Sequence, residues 1–133
     1  MRLTALDSLR GDHHFQVVDQ AASDQHLLRD VLAFPNPFDL GSAFSYYLLA
    51  DGPTDVMLRV FTVTGRVIYQ RVERGLPPGY HQWPWNGFDA EGDELGNGVY
   101  LYKMIATAGS RTDTYLGRLV KLRKPRHGET TTP

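Results

Sequence analysis

The chain has 133 residues, no cysteine and a formal net charge of -1. That length holds one sandwich-sized core, and the missing cysteine excludes disulfide staples, thiolate catalysis and a Cys-ligated zinc. A hydrophobic share of 41% marks a globular chain, and the near-neutral balance gives no general pull on nucleic acid or anionic lipid.

Residues 1–18 read as the terminal hairpin of a preceding domain that is missing here. Thr4, Ala5 and Leu6, then Phe15, Val17 and Val18, are strand-like, and Asp7 to Asp12 between them is turn chemistry. Two strands build no core of their own. Residues 19–30 are polar and read as a linker, with a short helix over 25–32 as the alternative because no breaker interrupts it. No apolar run is long enough for a helical membrane span, and residues 1–10 lack the apolar run of a signal peptide, so if the parent protein is exported its signal is expected outside this chain.

From Val31 the pattern becomes strands punctuated by Gly, Pro and Asp at about eight- to twelve-residue intervals. Strands are expected over 31–34, 43–49, 55–63, 66–72, 79–85, 98–107 and 111–123. Val56, Leu58 and Val60 alternate with Met57, Arg59 and Phe61, and Tyr100, Tyr102 and Met104 alternate with Val99, Leu101 and Ile105. The fold class is all-β: an immunoglobulin- or fibronectin-III-like antiparallel sandwich of about seven strands. The domain runs over 31–123, and residues 124–133 read as a disordered tail.

Several positions carry structural requirements. Pro35 and Pro37 fix φ and push their predecessors into extended geometry, leaving Asn36 to bond its neighbours' backbone and Phe38 to point inward. Thr64-Gly65 is read as a two-residue hairpin turn, with Gly65 supplying positive φ. Trp85 is an aromatic anchor whose indole N–H needs an acceptor. Gly87, Asp89 and Gly92 suit a turn in which the carboxylate accepts backbone N–H groups. Gly98 lets the chain turn a crowded corner, and Tyr100 and Tyr102 then share one strand face.

Taken in order, Phe34-Pro35-Asn36-Pro37-Phe38, Val60 to Ile68, Trp85 to Gly92, Gly96 to Tyr102 and Gly117 to Leu122 resemble the FlgD-like immunoglobulin-type domain. They resemble equally the type A C-terminal sorting domain of the type IX secretion system, found at the end of gingipain-like peptidases. The resemblance covers about residues 31–123. It implies a non-catalytic C-terminal module that sorts or anchors an exported bacterial protein at the cell surface. Its partners would be the secretion and outer-membrane apparatus or adjacent domains of the parent chain, and cargo would lie upstream of residues 19–30. The alternatives are a FlgD-like spacer that stabilises a neighbouring catalytic domain, and the immunoglobulin-type part of a flagellar hook cap.

Other chemistry reads as weak. Asp12, His13 and His14, with His81 and His127 remote, do not converge as a metal set would. Asp89, Glu91, Asp93 and Glu94 make an acidic loop open to Ca²⁺ or to solvent alone, without the spacing of an EF-hand. No nucleophile elbow or phosphate loop is present, so no enzyme, cofactor or metal is expected. Arg118, Lys121 and Arg123 form a basic strand end, read as a partner contact or as charge guarding an edge. Trp83 and Trp85 share a face; core packing is the favoured reading, with one of them at a rim for sugar stacking as the alternative. Oligomeric state is not legible.

Overall fold

The structure is a computed structural model that describes residues 26–125. The expected upstream hairpin, most of the linker, His13, His14, His127 and most of the tail lie outside the described residues.

Seven strands follow one another: β1 (Leu28–Phe34), β2 (Ser42–Leu48), β3 (Thr54–Thr62), β4 (Val67–Leu76), β5 (Gly79–Trp85), β6 (Gly98–Ala108) and β7 (Arg111–Lys121). They form two antiparallel sheets, one ordered β1-β2-β5 and the other β4-β3-β6-β7. The protein is therefore an all-β sandwich, with no helix among the described residues. The cause is a period of two, which places alternate side chains on one face. Phe44, Tyr46 and Leu48 of β2 face Val56, Leu58 and Val60 of β3 and Tyr102, Met104 and Ala106 of β6, all buried.

Strand β1 starts at Leu28, earlier than its sequence suggests, and the helical alternative over 25–32 is not adopted. Leu27 and Leu28 are buried, and their N–H groups donate to Asp113 Oδ2 at 2.8 and 3.0 Å. Leu28 also pairs with Leu48. The strand is hidden in the sequence because its register shifts between Arg29 and Leu32, where Asp30 takes a φ of 54°. Both faces of that stretch are polar, so no alternation survives to read.

The β3–β4 hairpin is also longer than a two-residue turn. Gly65 N donates to Thr62 O, and Thr62 N to Arg66 O, both at 2.9 Å. Gly65 has a φ of 99° and the register shifts between Val60 and Phe61. A tight turn followed by a left-handed glycine bulge accounts for these bonds. Strand β4 continues to Leu76, past the expected 72.

Aromatic rings fill the space between the sheets. Trp85 lies 5.5 Å from Phe38, 5.8 Å from Phe44 and 5.4 Å from Tyr69, and Phe44 meets Tyr102 edge-on at 5.0 Å. Tilted and edge-on pairs of this kind stabilise by about 0.5–1.5 kcal/mol each beyond burial. Trp83 and Trp85 are both buried, in line with the favoured core reading, and neither is left at a rim. Trp83 is capped by the Arg71 guanidinium 4.9 Å from its ring, and Arg71 pairs with Glu73 at 2.7 Å.

Two predictions follow from the core. A fragment of residues 31–123 lacks Leu27 and Leu28 and leaves Asp113 without its two donors. At about 1.5–3 kcal/mol per buried leucine, it is expected to unfold at clearly lower urea concentration than a 26–125 fragment. Equal midpoints would refute this. The second concerns Tyr46, whose hydroxyl is buried without a protein hydrogen-bond partner. Tyr46→Phe is expected to raise stability by about 1 kcal/mol, because an unsatisfied polar group is removed. Burial first, and the nearby Glu73 charge second, raise the Tyr46 pKa; burial likewise raises that of Tyr102. Both phenols are neutral in either state below the ordinary value of 10.0, so stability is whole there. Above it the unfolded chain ionises first and stability falls. Thermal melts should decline on that alkaline limb, less steeply in Tyr46→Phe.

Candidate functional site

The stretches singled out in the sequence gather at one end of the sandwich. β1 ends there at Phe34 opposite Ala43, β5 ends at Trp85 opposite Ser42, and Lys121 ends β7 opposite Gly98. The β3–β4 turn joins them, since Thr62 pairs with Tyr100.

The proline corner is built first. Both the Phe34–Pro35 and Asn36–Pro37 bonds are cis. Asn36 bonds strand β7 and not its neighbours: Nδ2 donates to Arg118 O at 2.8 Å, and Oδ1 accepts from Val120 N at 2.9 Å. Phe38 then runs parallel to β7, with its N–H on Val120 O at 2.9 Å and its carbonyl accepting from Leu122 N at 2.8 Å. The Phe38 ring is buried against Trp85. Ser42 Oγ closes the corner by donating to Pro35 O at 2.9 Å.

The loop between β5 and β6 wraps the same end. Trp85 Nε1 donates to Phe88 O at 3.1 Å, which satisfies the buried indole. Gly87 has a φ of 83°, and a Cβ there would stand 2.9 Å from Phe38 Cε2, so glycine is required twice over. Asp89 Oδ1 accepts from the N–H groups of Glu91 and Asp93, both at 2.9 Å, and Gly92 completes the turn with a φ of 88°. Ala90 N donates to Ile68 O at 2.8 Å, anchoring the loop to β4. Gly98 opens β6 with a φ of 148°, Tyr100 is half-buried with its hydroxyl on Gly96 O at 2.7 Å, and Tyr102 is buried.

Lys121 overturns an expectation. Read as a partner-facing cation, it is 1% exposed and lies inside the end of the sandwich. Its Nζ donates to Glu94 Oε2 at 2.7 Å and to the Asp39 carbonyl, and it sits 5.3 Å from the Phe38 ring centre. The alternation that puts Leu119 inside puts Lys121 inside as well, and the long stem carries the ammonium to acceptors from the loops on either side. Arg118 and Arg123 are exposed. Arg123 N is held by Asn97 Oδ1 at 2.6 Å.

Three groups also hold this arrangement in roles that sequence reasoning did not assign, Glu94 having been read only as part of the acidic loop and Gly117 only as the start of the closing motif. Asp113 secures β1, Glu94 neutralises Lys121, and Gly117 makes room for a ring: a Cβ at 117 would fall 2.5 Å from Tyr102 Cζ. Gly117 was legible as a glycine in mid-strand, a recurrent sign of close approach. The other two had no local signal, since their partners are remote in sequence.

Asp89, Glu91 and Asp93 bring carboxylate oxygens within 4.8 Å of one another. They are half-exposed or exposed, and Asp89 Oδ1 is engaged by two backbone donors. Solvated acidic turns share this geometry, so it assigns no metal. Beside them lies an open depression of about 680 Å³ floored by Tyr69 and Trp85 and edged by Phe88 and Asp89. His81 is elsewhere, stacked on Tyr46 with Nε2 2.7 Å from Pro77 O.

No protein-family model matches the chain, and no curated protein matches it. Among solved structures it is similar to dimeric latent PorU from Porphyromonas gingivalis, at 19% identity and a TM-score of 0.62. That similarity covers 71% of this chain and 9% of PorU. It is also similar to PorZ, described as an essential bacterial surface component of the type IX secretion system of the same organism. The figures there are 21% identity, a TM-score of 0.48, and coverage of 78% of this chain and 12% of PorZ. The chain thus spans a small part of either protein's length, and the likeness to PorU is one of fold.

The buried ion pair makes a testable asymmetry. Glu94→Ala strands an ammonium in the interior and is expected to cost about 2–3 kcal/mol, below the ~3–5 kcal/mol of fully buried pairs because Glu94 is partly solvated. Lys121→Met keeps the stem and removes the charge, and is expected to cost less. Urea denaturation of both variants would decide it; an equal or reversed order would show that the pair is not what holds the corner.

Proposed function

We propose that this chain is a non-catalytic, immunoglobulin-type module that sorts an exported bacterial protein through the type IX secretion system and holds it at the cell surface. The observation that carries the reading is the convergence of the sequence stretches resembling a sorting domain. Phe34 to Phe38, Trp85 to Gly92 and Gly117 to Leu122 interlock around Phe38, Trp85 and Lys121 at one end of a seven-stranded sandwich. In this reading those residues are structural, and recognition uses the outer surface of the domain. The strand order, three against four with crossings from β2 to β3, from β4 to β5 and from β5 to β6, supports the immunoglobulin-type assignment. The partners are the outer-membrane secretion apparatus and adjacent domains of a longer chain, and no catalytic role is assigned.

A transplant tests it. Residues 1–133 are fused behind a periplasmic reporter that carries its own export signal, in a host with a type IX apparatus and in a strain lacking it. The reporter is expected at the cell surface in the first strain and in the periplasm of the second. A reporter left in the periplasm of both strains would overturn the sorting role and leave the spacer reading.

A further inference from the structure

A sheet with one face in water presents polar residues on that face. The outer face of the β4-β3-β6-β7 sheet departs from this. Val72, Met57 and Ile105 stand side by side across three strands, and Val67, Phe61 and Leu101 form a parallel row. Val67 is 48% exposed and Val72 39%, the other side chains in these rows are half-buried, and Leu116, 39% exposed, lies between the rows beside Lys103. Two apolar rows left partly in water on one sheet face are the kind of surface that interaction sites use.

Between the two rows Arg59 lies directly opposite Lys103, and Arg118 flanks Leu101. Like charges directly opposite one another across two strands destabilise a sheet. Among the described residues these rows hold no carboxylate to offset them. The acid at the rim, Asp55, is turned to Arg74 at 3.7 Å and to Gly75 N at 2.9 Å. Gln70 Oε1 accepts from Arg59 Nε at 3.0 Å and so fixes the guanidinium plane. A partner carboxylate laid over Arg59 and Lys103 would relieve the repulsion, and a held guanidinium suits bidentate capture of it.

We propose that this face is a docking surface for a separate protein whose contact patch is apolar and acidic, with carboxylates meeting Arg59, Lys103 and Arg118. Most side chains in these rows are half-buried, which suits contact with another protein surface and leaves little to insert into a bilayer. The inference goes beyond the sorting role and stands independently of it.

The test places a photo-crosslinking benzoylphenylalanine at Leu116, which is exposed and opposite Lys103. The protein is illuminated in its producing cells and the cross-linked peptide is sequenced. The expected adduct is with one other protein, on a peptide rich in Asp, Glu and apolar residues. Lys103→Glu, made in the same background, is expected to cut the adduct by about tenfold or more, because it sets like charges against the partner. In the purified chain the same substitution puts a carboxylate opposite Arg59 and is expected to raise the melting temperature, so lost binding cannot be confused with unfolding. An adduct with a second copy, with another segment of the same chain or with lipid would overturn the proposal. So would the absence of an adduct, or one that Lys103→Glu leaves intact.

Discussion

The free edge of β7 is the constraint on which the rest of this structure depends. A strand edge left open exposes unpaired backbone groups and invites pairing with other chains. Here the edge is covered at both ends by segments from the other side of the sandwich. Asp113 takes the N–H groups of Leu27 and Leu28 at one end, while Asn36 and Phe38 bond Arg118, Val120 and Leu122 at the other. Each contact joins the three-stranded sheet to the four-stranded one, so closing the edge also fixes how the sheets lie against each other.

Much of the distinctive chemistry at that end follows from this closure. Bringing Phe38 onto β7 buries its ring beside Trp85, and that in turn forbids a side chain at position 87. The same crossing covers the end of β7, so Lys121 is enclosed and needs Glu94. The loop that delivers Glu94 is shaped by Asp89 and held to β4 through Ala90. Residues that look like ligands, acids or surface cations in the sequence are thus engaged in holding the fold.

That assignment moves attention from the motif-bearing end to the outer sheet face. The side chains most tightly specified by packing are turned inward and have little left to offer a partner. The outward positions of β3, β4, β6 and β7 are free of packing demands, yet they keep apolar rows and two opposed cations. A domain shaped only by its own stability would not favour that combination.

The sequence by itself determined the all-β class, the seven strands and the two alternating faces of β3 and β6. Period-two alternation and Gly/Pro punctuation are local signals, and they act before any long-range contact forms. It also marked Gly87, Asp89 and Gly92 as one turn after the Trp85 anchor, because their bonds reach only a few residues. Where β1 begins was not legible, since Arg29 and Asp30 sit at a register shift and the N–H groups before them are held by an acid some 85 residues away. The burial of Lys121 and the pairing of Asn36 with β7 likewise lie beyond local pattern. Only the tertiary structure decided those, because a buried charge or a shared strand edge is defined by what the rest of the chain brings to it.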